Sequence, residues 1–261
     1  MKLNIYADFT DKIDLAQRLT LIKANGFDGV MLGFSDENKL TQYKTVQNLG
    51  LDIDNVHSPF DRMNSLWVKG EHSGYILNRT LECIDICAEN GVKKVVVHPT
   101  DGLIAPPVTE FGLENFGTII NRAAQKGVDL LFENIQLPQF LDVIFDSFGS
   151  CENVRFCYDV GHENCFTYGQ NNLIKHGARL SGLHIHDNNG KIDGHEIPFD
   201  GNIDYDVFLK RLKSLDYKGA MSLELYMSKS PLYSDSSCEE FVARAAKAGR
   251  KLIEMYEALG D

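Results

Sequence analysis

A chain of 261 residues, 43% hydrophobic and 24% charged, is long enough to bury a sizeable core and has the composition of an ordinary soluble globular protein. Its net charge of −11 speaks against a broad nucleic-acid-binding surface, because phosphate contacts are made by Lys and Arg, although a metal cluster would add positive charge that residue counting misses. No apolar run approaches the about 20 residues of a membrane span.

The first element is a strand, Leu3–Tyr6; the Met1–Ala7 opening is too short and too polar for a signal peptide. Further candidate strands follow at Gly29–Leu32, Asp52–Val56, Lys94–His98, Leu130–Glu133, Arg155–Tyr158, Gly182–His186 and Ala220–Leu225. Several are apolar on consecutive residues, as in Val95-Val96-Val97, which is expected of parallel strands covered on both faces. Helical spacing separates them: Ile13, Ala16, Leu19 and Ile22; Leu81, Ile84 and Ala88; Phe208, Leu212 and Leu215; and a long closing helix from Glu239 to Leu259. Asn25-Gly26, Asn90-Gly91 and Lys126-Gly127 stand where helix gives way to strand, as C-cap signals do. Eight βα units without a Pro/Gly/Ser linker predict an α/β fold, a (β/α)₈ TIM barrel, as a single domain over residues 1–261. The six cysteines are scattered and form no C-x-x-C pair. That pattern fits a reducing compartment better than a disulfide framework, so a cytoplasmic location is expected.

His and carboxylate residues gather at the strand ends. His57 follows the third strand, His98 ends the fourth, Glu133 the fifth and Asp159 the sixth, with His162 three residues on. His184 lies on the seventh strand, Asp193 and His195 in the loop after it, and Glu224 ends the eighth. In a TIM barrel the C-terminal strand ends surround the active site, so these groups converge on one small volume. So many carboxylates in a cavity of low dielectric would repel one another and resist desolvation, and divalent metal removes both penalties. Imidazole and carboxylate without thiolate suit Zn, Mn, Fe or Co. His186 is two residues past His184 and faces the same side: it is either a substrate-contacting or supporting group, or itself the ligand with His184 beneath it.

The motifs His57-Ser58-Pro59-Phe60, Val97-His98-Pro99, Phe132-Glu133-Asn134, Asp159-Val160-Gly161-His162, His184-Ile185-His186-Asp187, Asp193-Gly194-His195 and Leu223-Glu224 resemble the xylose isomerase-like barrel superfamily over nearly the whole chain. That superfamily includes sugar and sugar-phosphate isomerases and epimerases and endonuclease IV-type enzymes. The resemblance implies one metal on Glu133, Asp159, His184 and Glu224, with the two glutamates as acid and base, and favours His184 over His186 as the ligand. Its endonuclease IV-type branch implies three zinc ions: one on His57, His98 and Glu133, a second on Glu133, Asp159, His184 and Glu224, and a third on His162, Asp193 and His195. The cofactor is therefore expected to be zinc or manganese, one to three ions. Two departures stand out. Where relatives often read Gly-x-Gly, this chain has Phe199-Asp200-Gly201 before Asn202-Ile203. The stretch after the second strand, Gly33–Glu37, is acidic, with no Arg-rich or aromatic insertion of the kind that grips DNA.

Two functions follow. A metal-dependent isomerase or epimerase would take a small sugar or sugar phosphate, with catalytic Glu133 and Glu224. Its substrate-binding residues would be His186, Lys191 and Lys229, the two lysines lying in the loops after strands seven and eight where phosphate binds in this fold. Tyr6, Phe34, Phe60, Trp67 and Phe166 are candidates to line its pocket. The alternative is a trinuclear-zinc phosphodiesterase or hydrolase, which the complete nine-residue set motivates. A metal-binding module without catalysis fits least, because the ring opens toward loops. Acidic charge and the missing insertion favour the small sugar; neither nucleic acid nor membrane is expected as a partner, and no residue pattern points to an oligomeric state.

Overall fold

The computed structural model describes residues 1–36 and 39–260; Glu37, the last residue of the acidic stretch noted above, lies outside the described residues, as do Asn38 and Asp261. Strand and helix alternate as the periodicity predicts. The order is β1 (Leu3–Tyr6), α1 (Leu15–Ala24), β2 (Gly29–Gly33), α2 (Gln42–Asn48), β3 (Asp52–His57), α3 (Glu71–Glu89), β4 (Lys94–Val97), α4 (Glu110–Lys126) and β5 (Asp129–Glu133). It continues with α5 (Pro138–Phe148), β6 (Val154–Asp159), α6 (Val160–Phe166), α7 (Asn172–His176), β7 (Leu180–His184), α8 (Tyr205–Ser214), β8 (Met221–Leu223) and α9 (Cys238–Ala258). Local chemistry fixes the helix ends. Capping boxes at Asp14/Gln17 and Ser237/Glu240 start α1 and α9. Gly26, Gly91 and Gly127 adopt left-handed φ of 75°, 77° and 65° just past α1, α3 and α4, as expected for C-cap glycines.

The eight parallel strands run in the order β7-β6-β5-β4-β3-β2-β1-β8. The ring closes through a bridge between Ile185 and Leu223, with Ile185 N donating to Ser222 O (2.9 Å) and Glu224 N to Ile185 O (3.0 Å). The fold is therefore the expected TIM barrel. Most strand ends fall within one residue of expectation, but β7 stops at His184 and β8 at Leu223, two residues early, because beyond that bridge the chains leave the ladder and turn over the barrel mouth.

The strand period of two sorts residues between two environments. Val95, Val97, Leu130, Phe132, Phe156, Tyr158, Leu183 and Leu223 face the helices and join the main core with Phe241, Val242, Ala245 and Leu252 of α9. The alternate residues Val96, Leu131 and Cys157 form a separate small apolar cluster inside the ring. At the lower end of the barrel Asn4 donates to Ser222 (3.3 Å), Ser222 to Asp54 (3.1 Å) and Lys94 to Asp54 (3.3 Å). The same inward parity, carried to the upper end, reaches His98, Glu133, Asp159, His184 and Glu224; on β3 a register shift between Ile53 and Asn55 lets both Asp54 and His57 join the inward groups. All six cysteines are free. Among the described residues no helix is long and apolar enough to cross a membrane.

The loop from 185 to 204 carries two expected ligands and is organised by Asp187. Its carboxylate accepts from the backbone N–H of Asn188 (2.9 Å), Phe199 (2.9 Å) and Ile203 (3.2 Å). Phe199, at the first glycine position of the Gly-x-Gly pattern, holds φ +78°, while its ring packs on Tyr205 with centroids 4.9 Å apart and under Lys251 Nζ at 3.7 Å. Those contacts offset a conformation that costs a bulky residue about 1 kcal/mol or more. The second glycine is required by close approach: a Cβ at Gly201 would stand 2.2 Å from Asp187 Oδ1 and 2.3 Å from Asn188 O. Gly201→Ala should cost roughly 1–3 kcal/mol, lowering the thermal midpoint by roughly 2–4 °C per kcal/mol. An unchanged midpoint by circular dichroism would show that Asp187 does not fix this loop.

Candidate metal centre at the barrel mouth

Side chains from six strand ends, α6 and the 185–204 loop meet in three groups, whose potential ligand atoms within each group lie within 4.8 Å of one another. The first is His57, His98 and Glu133; the second Glu133, Asp159, His184 and Glu224; the third His162, His186, Asp193 and His195. The structure thus brings all nine expected ligands together and adds His186.

In the first group His57 Nε2 is 3.1 Å from His98 Nε2 and 3.4 Å from Glu133 Oε2, and His98 Nε2 is 3.1 Å from the same oxygen. In the second, His184 Nδ1 is 3.2 Å from Glu133 Oε1 and 3.4 Å from Glu224 Oε2. Ligands 2.0–2.2 Å from a tetrahedral ion stand about 3.3–3.6 Å from each other, so these spacings of 3.1–3.4 Å are close to what a shared ion would need. The ring orientations agree. His57 donates Nδ1–H to Ser58 O (2.8 Å), His162 to Asn134 O (3.1 Å) and His195 to Glu224 O (2.8 Å). An imidazole held that way presents the lone pair of Nε2. Asn134 ties the second group down: it donates to Asp159 O and accepts from Asp159 N, both at 2.8 Å. Asp159 Oδ1 caps α6 by accepting from His162 N at 2.6 Å.

Several buried atoms are left over. Asp159 Oδ2, Asp193 Oδ1, His98 Nδ1 and His186 Nε2 reach no hydrogen-bond partner among the described residues, although buried polar groups are ordinarily paired. Unpartnered carboxylate oxygens next to N/O donors fit a divalent cation. The protonation states follow the same crowding. Burial raises the Glu133 carboxyl, but His184 and hydrogen bonds from His162, His184 and His57 outweigh it and hold the group well below the usual carboxylate range. Burial lowers His162, yet Asp159 and Glu133 bring it up to about 10. His184 stands well above the ordinary imidazole value, burial being overcome by Cys157, Glu224 and Glu133. Burial pushes the His98 and His195 rings down and the Cys157 thiol up to about 12.

Above these groups opens a cavity of about 450 Å³, within the range of small-molecule sites. His57, His98, His162, Asp193, His195 and Glu224 face it, with Tyr6, Asp8, Phe34, Phe60, Arg79 and Lys229 among the residues around them. Glu133, Asp159 and His184 lie beneath that lining. His186, expected to contact substrate, has no exposed surface and is also beneath it. Lys229 reaches the cavity, its Nζ 3.3 Å from Asp193 Oδ2 and 4.8 Å from the centroid of the Tyr226 ring; Lys191 is exposed and does not line it. Trp67 belongs to the core instead, donating Nε1–H to Pro99 O (2.8 Å) between Phe116 and Phe140, and Phe166 packs on the His162 ring at 5.7 Å. Sequence reasoning passed over Asp8 and Arg79. Asp8 continues the inward parity of Asn4 and Tyr6, a signal that was readable; its Oδ1 is held by Arg18 at 2.6 Å. Arg79 comes from mid-α3, where no local pattern distinguishes it.

A protonated imidazole cannot ligate, and the carboxylates beside His162 and His184 favour the protonated form of both rings, so an ion bound there would displace protons from them. Zinc addition in weak buffer should therefore release protons. Apparent affinity should tighten from pH 6 to pH 8 by about tenfold per pH unit for each proton displaced. Calorimetry with pH-independent affinity would remove these two residues from the binding site.

Known proteins match at three levels. The family model described as xylose isomerase-like TIM barrel matches residues 19–255. Uncharacterized protein y4fM of Sinorhizobium fredii is 28% identical over 195 residues, 68% of this chain; the match spans only 60% of y4fM. Among solved structures, D-psicose 3-epimerase from Clostridium cellulolyticum H10, crystallised with D-tagatose, superposes with a TM-score of 0.78 at 14% identity, over 98% of this chain and 99% of that one. An IolI protein with a bound zinc atom gives 0.76 at 18% identity, over 98% and 99%. At those identities the structural likeness is one of fold.

Proposed function

The chain belongs to the xylose isomerase-like TIM barrel family, and on that footing we propose that it is a divalent-metal-dependent isomerase or epimerase of a small sugar. The observation that carries this reading is the pair Glu133 and Glu224, both against His184 Nδ1, at the floor of a cavity of small-molecule size. The likeness of the barrel to an epimerase crystallised with a ketose and to an IolI protein with zinc supports the same class.

Glu133, Asp159, His184 and Glu224 would hold the ion; their spacing, the unpartnered Asp159 oxygen and the mixed N/O donor set fit a divalent metal. When bound, such a cation polarises a hydroxyl and the adjacent carbonyl, which makes the C–H bond between them more acidic. Glu224, which faces the cavity, takes that proton onto a carboxylate oxygen, and Glu133 is the partner that returns one. Phe34, Phe60 and Tyr6 supply apolar surface against which a sugar ring or chain lies and from which water is displaced. Arg79 and Lys229 at the cavity are committed, to Asp36 and to Asp193, and Asp8, Asp61 and Asp101 add negative charge around it. That rim favours an unphosphorylated sugar over a phosphate ester.

A second reading, a trinuclear-zinc phosphodiesterase of endonuclease IV type, draws on one specific observation: donors for three ions are present. The experiment that separates the two uses metal-loaded protein in D₂O with a panel of ketoses, following deuterium incorporation next to the carbonyl by NMR, beside an abasic-site DNA duplex. The proposal expects exchange into a sugar and an intact duplex. Glu133→Gln and Glu224→Gln should each slow exchange by about 10²–10⁴-fold; wild-type rates in either variant would dismiss the acid–base pair. Cleavage of the duplex without sugar exchange would transfer the assignment to the hydrolase.

A further inference from the structure

The resemblance implies three donors at the outermost position, His162, Asp193 and His195, and leaves His186 without a part in metal binding. In the structure His186 is completely buried; its Nε2 stands 3.1 Å from Asp159 Oδ1 without hydrogen-bond geometry, and Asp193 Oδ1 is left without a hydrogen-bond partner. His186 Nε2 and Asp193 Oδ1 stand 3.6 Å apart. His195 Nε2 is 3.0 Å from Asp193 Oδ2 and His162 Nε2 is 3.9 Å from it. Three imidazole Nε2 atoms thus surround the two oxygens of one carboxylate at 3.0–3.9 Å, and one ligand atom from each of the four residues lies within 4.8 Å of the others.

We infer that the outermost position is a closed, structural metal site with His186 as its fourth protein ligand, and that its ion clasps the 185–204 loop to the barrel. Ligand ownership distinguishes this position from its neighbours. His57 and His98 share Glu133 with the second group, so the first group has three donors and the second counts a shared one among its four. The third group has four donors of its own. Four protein ligands close a zinc shell, whereas a catalytic ion keeps a position open. The donors also come from separate pieces of chain: His162 from α6, His186 from the residues just past β7, and Asp193 and His195 from the loop tip. His195 is held at φ +45°, a left-handed conformation that a non-glycine residue adopts only where the surroundings enforce it. The space for His186 is made by Gly161, where a Cβ would lie 2.0 Å from the imidazole ring.

This inference rests on the metal-binding half of the proposed function and not on isomerisation: slow ion retention by a protein that turns over no sugar leaves it standing. The test loads the full chain with zinc, then follows ion release to a chelator by elemental analysis and, in parallel, cleavage by trypsin after Lys191, which is exposed in the clasped loop. Wild type should release zinc in two phases, with the Lys191 bond protected until the slow ion leaves. His186→Gln keeps a hydrogen-bond donor toward Asp159 but removes the imidazole; it should lose the slow phase, weaken that ion by about 10–100-fold or more and expose Lys191 to trypsin. Should the variant not fold, cobalt-loaded wild type decides. Intense visible bands of a four-coordinate ion are expected in the slow-releasing fraction, and weak bands of higher coordination overturn the inference. It is equally overturned if wild type releases all its zinc in one phase, or if folded His186→Gln keeps the slow ion.

Discussion

Glu133 has no exposed surface, and an ionised carboxylate in that position is costly unless other groups neutralise and bond it. Its neighbours meet that demand from several directions. Nitrogens of His57, His98, His162 and His184 all lie within 3.4 Å of its two oxygens. Of these imidazoles, His57 and His162 find acceptors for an N–H in the carbonyls of Ser58 and Asn134, as the neighbouring His195 does in that of Glu224. Each of those carbonyls belongs to the backbone just beyond a strand. The demand of one buried charge is thereby passed outward to the strand ends of the barrel, and the positions of those ends become fixed by the chemistry at the centre.

Strand parity delivers this arrangement from a sequence with no internal repeat. A residue one place along β5 faces α-helices and hydrocarbon, as Phe132 does; the next, Glu133, faces the barrel axis. A single-residue slip in any strand would exchange the two environments and bury a carboxylate against apolar side chains. The apolar trio Val96, Leu131 and Cys157 lies one step below and separates the donors from the Asn4–Ser222–Asp54–Lys94 network at the other end.

Much of this was readable beforehand because it depends on period and spacing. The eight strands, the glycine C-caps and the convergence of nine ligand-type residues all follow from local patterns. What escaped depends on depth and on loop geometry. His186 has the expected parity, but parity cannot tell a side chain that lines a cavity from one a layer beneath it. Lys191 and Lys229 are each a few residues past a strand, yet only Lys229 turns inward, toward Asp193 36 residues away. Trp67 was grouped with rim aromatics because an aromatic residue near a strand end looks the same in either place. The glycine that makes room for it, Gly112, whose Cβ would come within 2.1 Å of the indole, is 45 residues away. Phe199 occupies a glycine position, and its compensation by Tyr205 and Lys251 is tertiary.

The closure of the ring has a mechanical meaning. Seven junctions between neighbouring strands carry two to five registered pairs, whereas β7 and β8 meet in one bridge. His184 and Glu224 flank that junction. A cation gripped by both would act as a buckle on a hoop at its narrowest stave, so that opening the barrel there and letting the ion go are the same event.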